Sequence, residues 1–196
     1  MIILLILGCL TISDTEYDQK MATFSSDLNS TEGDTAETPP FYLAENGATI
    51  ICSDAGIGET GTVNGIAYTK QSREGLVELI GSEDWEGLET ICTSDITDMR
   101  ELFYGKADFN LDVSSWDVGA VLNMSRMFYG ASDFNQNIGE WDTENVTNMD
   151  HMFFYATNFN QNLSGWCVSQ IQEEPSQFAT NASAWQQPKP VWGTCP

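Results

Sequence analysis

The most regular feature of the chain is an apolar pattern that recurs every 25 residues from about Ile91 onward. No gap is needed to align the copies, and Ile171 and Phe178 continue the pattern into a fourth, weaker copy. A period of 20–29 residues is typical of proteins that stack one supersecondary unit per repeat. The recurring positions are Met99, Met124 and Met149; Phe103, Phe128 and Phe153; Phe109, Phe134 and Phe159; Asn110, Asn135 and Asn160; and Trp116, Trp141 and Trp166.

The first half of each unit predicts one short helix. Asp98 stands where a helix N-cap is expected, and Met99, Leu102 and Phe103 follow at the i, i+3, i+4 spacing of a helix face. Gly105 would end that helix. The next two units repeat the pattern behind Asn123 and Asn148, with Tyr155 as a departure from the glycine.

The second half of each unit predicts a strand. Val113, Trp116 and Val118 have the spacing of a leucine-rich-repeat strand, and the next two units repeat it. Such strands would stack as a parallel sheet at about 4.8 Å per coil, which places identical residues on one another inside. The tryptophans are therefore predicted to be core residues, and the recurrent asparagines to bond the backbone at the bend.

These elements predict an α/β repeat fold: a short leucine-rich-repeat-like solenoid with one strand and one short helix per 25-residue coil. The repeats are assigned to residues 91–171 and a C-terminal cap to 172–196. Residues 41–90 lack the period and predict an N-terminal cap of two hairpins and short helices. One hairpin turns at Asn64-Gly65, and Ser72 and Ser82 are candidate helix caps.

The N-terminal 40 residues have a different character. Residues 1–12 hold an apolar run that ends at Ile6-Leu7-Gly8-Cys9, which resembles the lipobox of bacterial lipoproteins, in which the cysteine is acylated. Ordinary secretion and an unprocessed buried segment are the alternatives. Residues 13–40 are rich in Ser, Thr, Asp and Glu and are predicted to form a disordered acidic tether.

The remaining cysteines indicate an oxidising compartment. Cys52, Cys92, Cys167 and Cys195 form an even set that permits three disulfide connectivities, of which Cys52–Cys92 with Cys167–Cys195 joins neighbours in sequence. Zinc is the competing use. The chain has no C-x-x-C pair and a single histidine, His151, so disulfide bonds are favoured.

The charge balance limits the possible partners. The chain has 29 acidic and 7 basic residues, a formal net charge of -22, so binding to nucleic acid is not expected. No known calcium-loop motif surrounds Asp112, Asp117, Asp142 or Asp150, and His151 has no nucleophile at a suggestive spacing. The sequence therefore predicts no catalytic residues, no metal site and no cofactor.

The repeats resemble a known family. The motif Val146-Thr147-Asn148-Met149 with Met152-Phe153, followed by Phe159-Asn160-Gln161-Asn162 and Trp166, is similar to that of BspA-type leucine-rich-repeat surface proteins of bacteria. The likeness covers residues 91–196. It implies an extracellular or surface-anchored protein, often a lipoprotein, with adhesion as the role of some members.

The expected function is non-catalytic binding to a protein or glycan of the cell exterior, because a repeat array presents the same residue at the same angle in each unit. The expected location is the cell surface or the medium, with a membrane contacted only through a lipid anchor. A passive stalk without a ligand, an ice- or mineral-surface binder and an enzyme are the alternatives. The ice-binding alternative requires outward threonine rows, and only Thr97 and Thr147 align.

The lipobox-like motif generates a first prediction. If Cys9 is acylated, the full-length protein expressed in a bacterial host partitions into the detergent phase, and Cys9→Ser moves it to the aqueous phase. Two-phase detergent extraction followed by immunoblotting measures this. Recovery of the wild-type protein entirely in the aqueous phase would contradict the lipid anchor and leave ordinary secretion.

Overall fold

The computed structural model describes residues 39–83, 85 and 87–196. The predicted leader, with Cys9, and residues 13–38 of the predicted tether lie outside the described residues. Within these described residues, every helix and strand lies between residues 42 and 92. The rest of the described chain is built from turns.

Two hairpins open the described region. Strands β1 (Tyr42–Leu43) and β2 (Ile50–Ile51) pair antiparallel. Strands β3 (Thr60–Val63) and β4 (Ile66–Lys70) pair antiparallel around Asn64 and Gly65, whose φ angles of 52° and 82° are those of the predicted Asn-Gly turn. Strand β5 (Ile91–Cys92) then joins β4 in parallel.

One α-helix, α1 (Arg73–Gly81), lies between β4 and β5. Ser72 caps it as predicted, because its side chain accepts a hydrogen bond from the Gly75 N–H. Hydrogen bonds from its own backbone N–H and from Ser72 hold the pKa of Glu74 below its usual value. No second α-helix follows Ser82 in the described residues. A short 3-10 helix, Leu88–Thr90, leads into β5 instead.

The predicted fold class is wrong. Residues 93–196, all of which are described, contain no helix and no strand, so the chain is not an α/β repeat solenoid with a strand and a helix in each coil. The period of the sequence corresponds instead to stacked turns. We number the repeating segments 1 (residues 96–120), 2 (121–145), 3 (146–170) and 4 (171–196), and call them together the turn stack.

Backbone geometry explains why the predicted helices do not form. Glu101, Arg126 and His151 occupy the same position in segments 1 to 3 and have φ values of 59°, 55° and 57°, in the left-handed region. A right-handed helix cannot pass through such a residue. Asp98 and Asn123, predicted as helix caps, instead accept from the N–H two residues later and form Asx-turns.

The backbone N–H groups after these turns alternate between two directions. Those of Glu101, Phe103 and Gly105 donate to the carbonyls of Ser125, Met127 and Tyr129 at 3.1, 2.9 and 2.7 Å. The intervening N–H groups of Tyr104 and Lys106 donate three residues back within the segment. A helix would use every N–H internally. Here half of them join one segment to the next.

Asx-turns also explain why the predicted strands do not form. The side chains of Asp112 and Asp117 accept from the N–H groups of Ser114 and Gly119, so two Asx-turns flank Trp116. Segment 2 repeats them with Asn137 and Asp142. Four aspartates of the repeats, Asp98, Asp112, Asp117 and Asp142, therefore bend the backbone.

The core of the turn stack is a column of phenylalanines. Phe103 and Phe109 stack within segment 1 with their centroids 3.8 Å apart, and the corresponding pair in segment 2, Phe128 and Phe134, does so at 3.9 Å. Phe103 and Phe128 then stack between the segments at 5.5 Å. The six phenylalanines of this column are fully buried: Phe103, Phe109, Phe128, Phe134, Phe153 and Phe159.

Segment 4 is shifted by one residue from the gapless sequence alignment. The carbonyl of Met152 accepts from Phe128, and that of Phe178 accepts from Phe153, so Phe178 corresponds to Met152 and not to Phe153. The left-handed φ of 50° at Gln177 matches that of His151. The same shift brings Trp185 to the position of Phe159, whose ring it meets edge-on at 4.8 Å.

Burial of the tryptophans generates a second prediction. Trp141 is 2% exposed and its indole N–H donates to the Val113 carbonyl at 3.2 Å. Trp141→Ala should lower the free energy of unfolding by about 3–5 kcal/mol, measured by denaturant unfolding. The exposed neighbour Glu140→Ala is the control and should change it by less than about 0.5 kcal/mol. Unchanged stability of Trp141→Ala would contradict this packing.

Candidate functional site

A second column of aromatic rings runs along the outside of the turn stack. Tyr104, Tyr129 and Phe154 each follow an inward phenylalanine and therefore project to the other side of the backbone. Their rings stack at 4.7 Å from segment 1 to 2 and at 4.7 Å from segment 2 to 3. We call these three residues the aromatic row.

The row is exposed at its edges. Tyr104 is 49% exposed, whereas Tyr129 and Phe154 are half-buried by their neighbours. Tyr155, which is 50% exposed, meets Phe154 edge-on at 4.7 Å and extends the surface past segment 3. Large apolar surfaces that a soluble fold leaves exposed in one strip commonly mark an interaction site.

The stacking decides which part of each ring a ligand can reach. Both faces of Tyr129 are covered, by Tyr104 on one side and Phe154 on the other, at interplanar angles of 16° and 21°. A sugar binds an aromatic platform through the ring face, and both faces of this central ring are occupied. Ring edges and tyrosine hydroxyls remain, and these suit side chains and backbone groups of a polypeptide.

Polar side chains border the row at the left-handed positions. Glu101 and Arg126 form an ion pair of 3.0 Å between segments 1 and 2, with both side chains about half exposed. An exposed pair of this kind adds at most about 1 kcal/mol to stability. His151 continues that line in segment 3, its ring centroid 5.8 Å from that of Phe154. The strip thus combines aromatic edges with one cation, one carboxylate and one imidazole.

The predicted tryptophan ladder lies inside and is not part of this surface. Trp116 and Trp166 are fully buried, and Trp141 and Trp166 stack at 6.4 Å. Each indole N–H donates to a backbone carbonyl 28 residues earlier: that of Trp116 to Leu88 at 3.1 Å, that of Trp141 to Val113 at 3.2 Å and that of Trp166 to Ile138 at 2.9 Å.

The asparagines of the predicted ladder accept hydrogen bonds from the backbone, as expected, but the backbone N–H groups belong to the next segment. The Asn110 Oδ1 accepts from the Asn135 N–H, and the Asn135 Oδ1 from the Asn160 N–H, both at 2.9 Å. The amides of Gln136 and Gln161 add bonds to the same asparagine oxygens at 3.0 and 2.8 Å. These asparagines therefore hold the segments in register.

The predicted disulfide bonds are present. Cys52 pairs with Cys92, which ties β2 to β5, and Cys167 pairs with Cys195, which ties segment 3 to the C-terminal residues. In the chain-entropy account, crosslinks that close loops of this size stabilise by about 3–4 kcal/mol each. The four cysteines are structural.

The described residues show no group of three or more His, Cys, Asp or Glu side chains placed to hold a metal ion. The aspartates singled out in the sequence have backbone partners instead. Asp112, Asp117 and Asp142 close Asx-turns, and the Asp150 carboxylate accepts from the Ser176 N–H at 2.8 Å. Within the described part of the chain, no helix has the length and apolarity needed to cross a membrane.

A cleft of about 430 Å³ lies between the β1–β2 hairpin and segments 1 to 3 of the turn stack. Asn46 and Thr49 line it from the hairpin, and Asp117, Glu140 and Asp142 from the turn stack. The Asn46 amide crosses it to the Glu140 carbonyl at 3.2 Å. Polar contacts across the cleft hold the hairpin against the turn stack.

A model of one protein family matches residues 77–192, more than half of the chain. It is described as a Mycoplasma protein of unknown function, DUF285. The chain belongs to this family. No curated protein and no solved structure matches the chain.

The aromatic row could have been found from the sequence. Tyr104, Tyr129 and Phe154 obey the same 25-residue period as the core, and each directly follows a residue predicted to point inward. Prediction of a helix obscured this signal, because two adjacent positions of a helix face lie only about 100° apart. In an extended or turn-rich backbone the two side chains point to opposite sides.

Proposed function

We propose that this member of the DUF285 family is a non-catalytic binding module of the cell exterior, and that its ligand is a protein bound at the aromatic row. The observation that carries the proposal is the continuous strip formed by Tyr104, Tyr129 and Phe154, whose rings offer edges and hydroxyls to a partner. Aromatic residues on a rigid support are the side chains that contribute most to protein interfaces.

Two further observations support an exterior location. The disulfides Cys52–Cys92 and Cys167–Cys195 are of the kind that form and persist outside the reducing cytosol. The 25-residue motif resembles that of BspA-type surface proteins, some of which are linked to adhesion. A lipobox-like Cys9 would tether the module to a bacterial envelope.

The net charge of the chain limits the kinds of protein that can be its partner. A formal net charge of -22 repels acidic proteins and attracts basic ones over a distance set by the ionic strength. The aromatic row and this field together favour a protein that presents apolar and basic side chains. Matrix proteins of a host surface that expose basic segments are the class we propose.

The alternatives gain no comparable support. An ice- or mineral-binding surface needs outward hydroxyl rows, but the Thr147 hydroxyl is engaged with the Leu122 carbonyl at 3.0 Å, and Leu122 interrupts the row between Thr97 and Thr147. A passive stalk has no use for exposed stacked aromatics. It remains the outcome to be expected if no ligand binds.

Binding to immobilised laminin, fibronectin and collagen, measured by surface plasmon resonance, generates a third prediction. The full chain should bind at least one of them, and Tyr129→Ala should weaken that binding at least about tenfold, as loss of a central aromatic contact does. The control is Ile57→Ser, which removes an apolar residue that is 60% exposed elsewhere on the surface.

The outcomes separate the candidate functions. Equal binding by wild type and Tyr129→Ala would place the ligand outside the aromatic row. Absence of binding to all three matrix proteins would contradict the proposed partner class and favour the stalk. Melting temperatures of both variants establish that any loss of binding does not come from unfolding.

A further inference from the structure

Around the left-handed residues of each segment, the hydrogen bonds between segments run in one direction. Alternate N–H groups of each segment donate to carbonyls of the next one: Arg126, Phe128 and Gly130 donate to Asp150, Met152 and Phe154 at 2.9, 2.9 and 2.7 Å. Segment 3 donates to segment 4 in the same way, from His151, Phe153 and Tyr155 to Ser176, Phe178 and Thr180 at 2.9, 2.8 and 3.0 Å. Segment 4 has no later segment to donate to among the described residues.

The equivalent donors in segment 4 are the N–H groups of Gln177, Ala179 and Asn181. Gln177 and Asn181 have φ values of 50° and 63°, which match those of the corresponding Arg126 and Gly130 at 55° and 69°. These three N–H groups have no acceptor among the described residues, whereas the neighbouring N–H groups of Phe178, Thr180 and Ala182 donate within the segment. Segment 4 therefore keeps the donor geometry of segments 1 to 3 without a partner among the described residues.

This edge is accessible. Gln177 and Asn181 are exposed, and a cleft of about 480 Å³ runs along residues 174–180 and reaches Lys189. Pro175 stands at the position of Met99 and Met124, whose N–H groups donate to Asn123 and Asn148, so one donor is missing from the start of the edge. Three aligned N–H groups beside an open cleft can donate to the backbone carbonyls of another chain, as those of exposed sheet edges do.

We propose that the edge formed by Gln177, Ala179 and Asn181 docks an extended, basic polypeptide segment. The bound segment would run parallel to segment 4, since the segments pair in parallel, and would offer three alternate carbonyls. Its residues after the first and third of these carbonyls would have to adopt left-handed φ, which favours glycine or asparagine. This site is separate from the aromatic row and does not depend on it.

Charge decides between a peptide and a second copy of the chain. Two carboxylates, Glu173 and Glu174, precede the edge, and one cation, Lys189, lines the cleft. The whole chain has a net charge of -22, so a basic segment is attracted and another copy is repelled. The opposite end of the turn stack is also partly engaged. The Arg100 carbonyl, which corresponds to the acceptor Ser125, accepts from the Arg73 guanidinium at 3.0 Å.

A peptide with the sequence of residues 122–131, capped at both ends, is a suitable probe. It contains the three acceptor positions of segment 2, with Arg126 and Gly130 at the left-handed positions, and its only charge is that of Arg126. In the isotope-labelled full chain, its addition should slow amide exchange at Gln177, Ala179 and Asn181 at least about tenfold. A control peptide with Gly130→Val cannot readily adopt φ of 69° and should protect them far less.

Variants of the chain complete the test. Ala179→Pro removes the central donor and should weaken peptide affinity at least about tenfold, whereas Ala179→Ser keeps the N–H and should bind like wild type. If Ala179→Pro does not fold, the double variant Glu173→Lys with Glu174→Lys should weaken binding of the Arg126 peptide and strengthen binding of its Arg126→Glu form.

Three results would overturn the proposal. These are no protection of the three amides at millimolar peptide, equal protection by the Gly130→Val peptide, and concentration-dependent self-association that protects the same amides without peptide. The last would assign the edge to a second copy of the chain. Peptide binding retained in Tyr129→Ala separates this site from the matrix-binding site, so each proposal can fail alone.

Discussion

The alternation of backbone N–H groups between local turns and the next segment is the constraint on which the turn stack depends. Each left-handed residue, such as Arg126, rotates the chain so that every second N–H points out of its own turn and toward the carbonyls of the following segment. Buried backbone groups must be paired, and this arrangement pairs them without helix or sheet. Loss of the left-handed positions would return the N–H groups to helical partners and separate the segments.

The spacing that these bonds impose shapes both sides of the backbone. Inside, the phenylalanines of successive segments stack at 5.5 to 5.7 Å, as in the series Phe109, Phe134 and Phe159. Outside, Tyr104, Tyr129 and Phe154 stack at 4.7 Å. The exposed aromatic row is thus a consequence of the same register that builds the core. Side-chain bonds such as that from the Asn135 N–H to the Asn110 Oδ1 at 2.9 Å reinforce it.

The sequence predicted features that carry a recognised turn or cap motif or a clear apolar period, and it failed where polar residues other than glycine bend the backbone of the repeats. The hairpin at Asn64-Gly65, the Ser72 cap and the burial of Trp141 follow from short patterns that the structure contains. The helices and strands of the repeats do not form, because Asp98 closes an Asx-turn and Glu101 takes a left-handed φ of 59°. A pattern of apolar residues does not predict left-handed backbone at Glu101, Arg126 and His151, because none of these residues is a glycine. The one-residue shift in segment 4 was also hidden in the sequence. Phe178 lies 25 residues after Phe153 and is also a phenylalanine, although in the structure it occupies the position of Met152.

The most direct test of this account is the detection of scalar couplings across hydrogen bonds by NMR in the isotope-labelled protein. The account predicts couplings from the amide nitrogens of Arg126, Phe128 and Gly130 to the carbonyl carbons of Asp150, Met152 and Phe154, 24 residues later in each case. Couplings from the same nitrogens to carbonyls four residues earlier would show helices in the repeats and would contradict it.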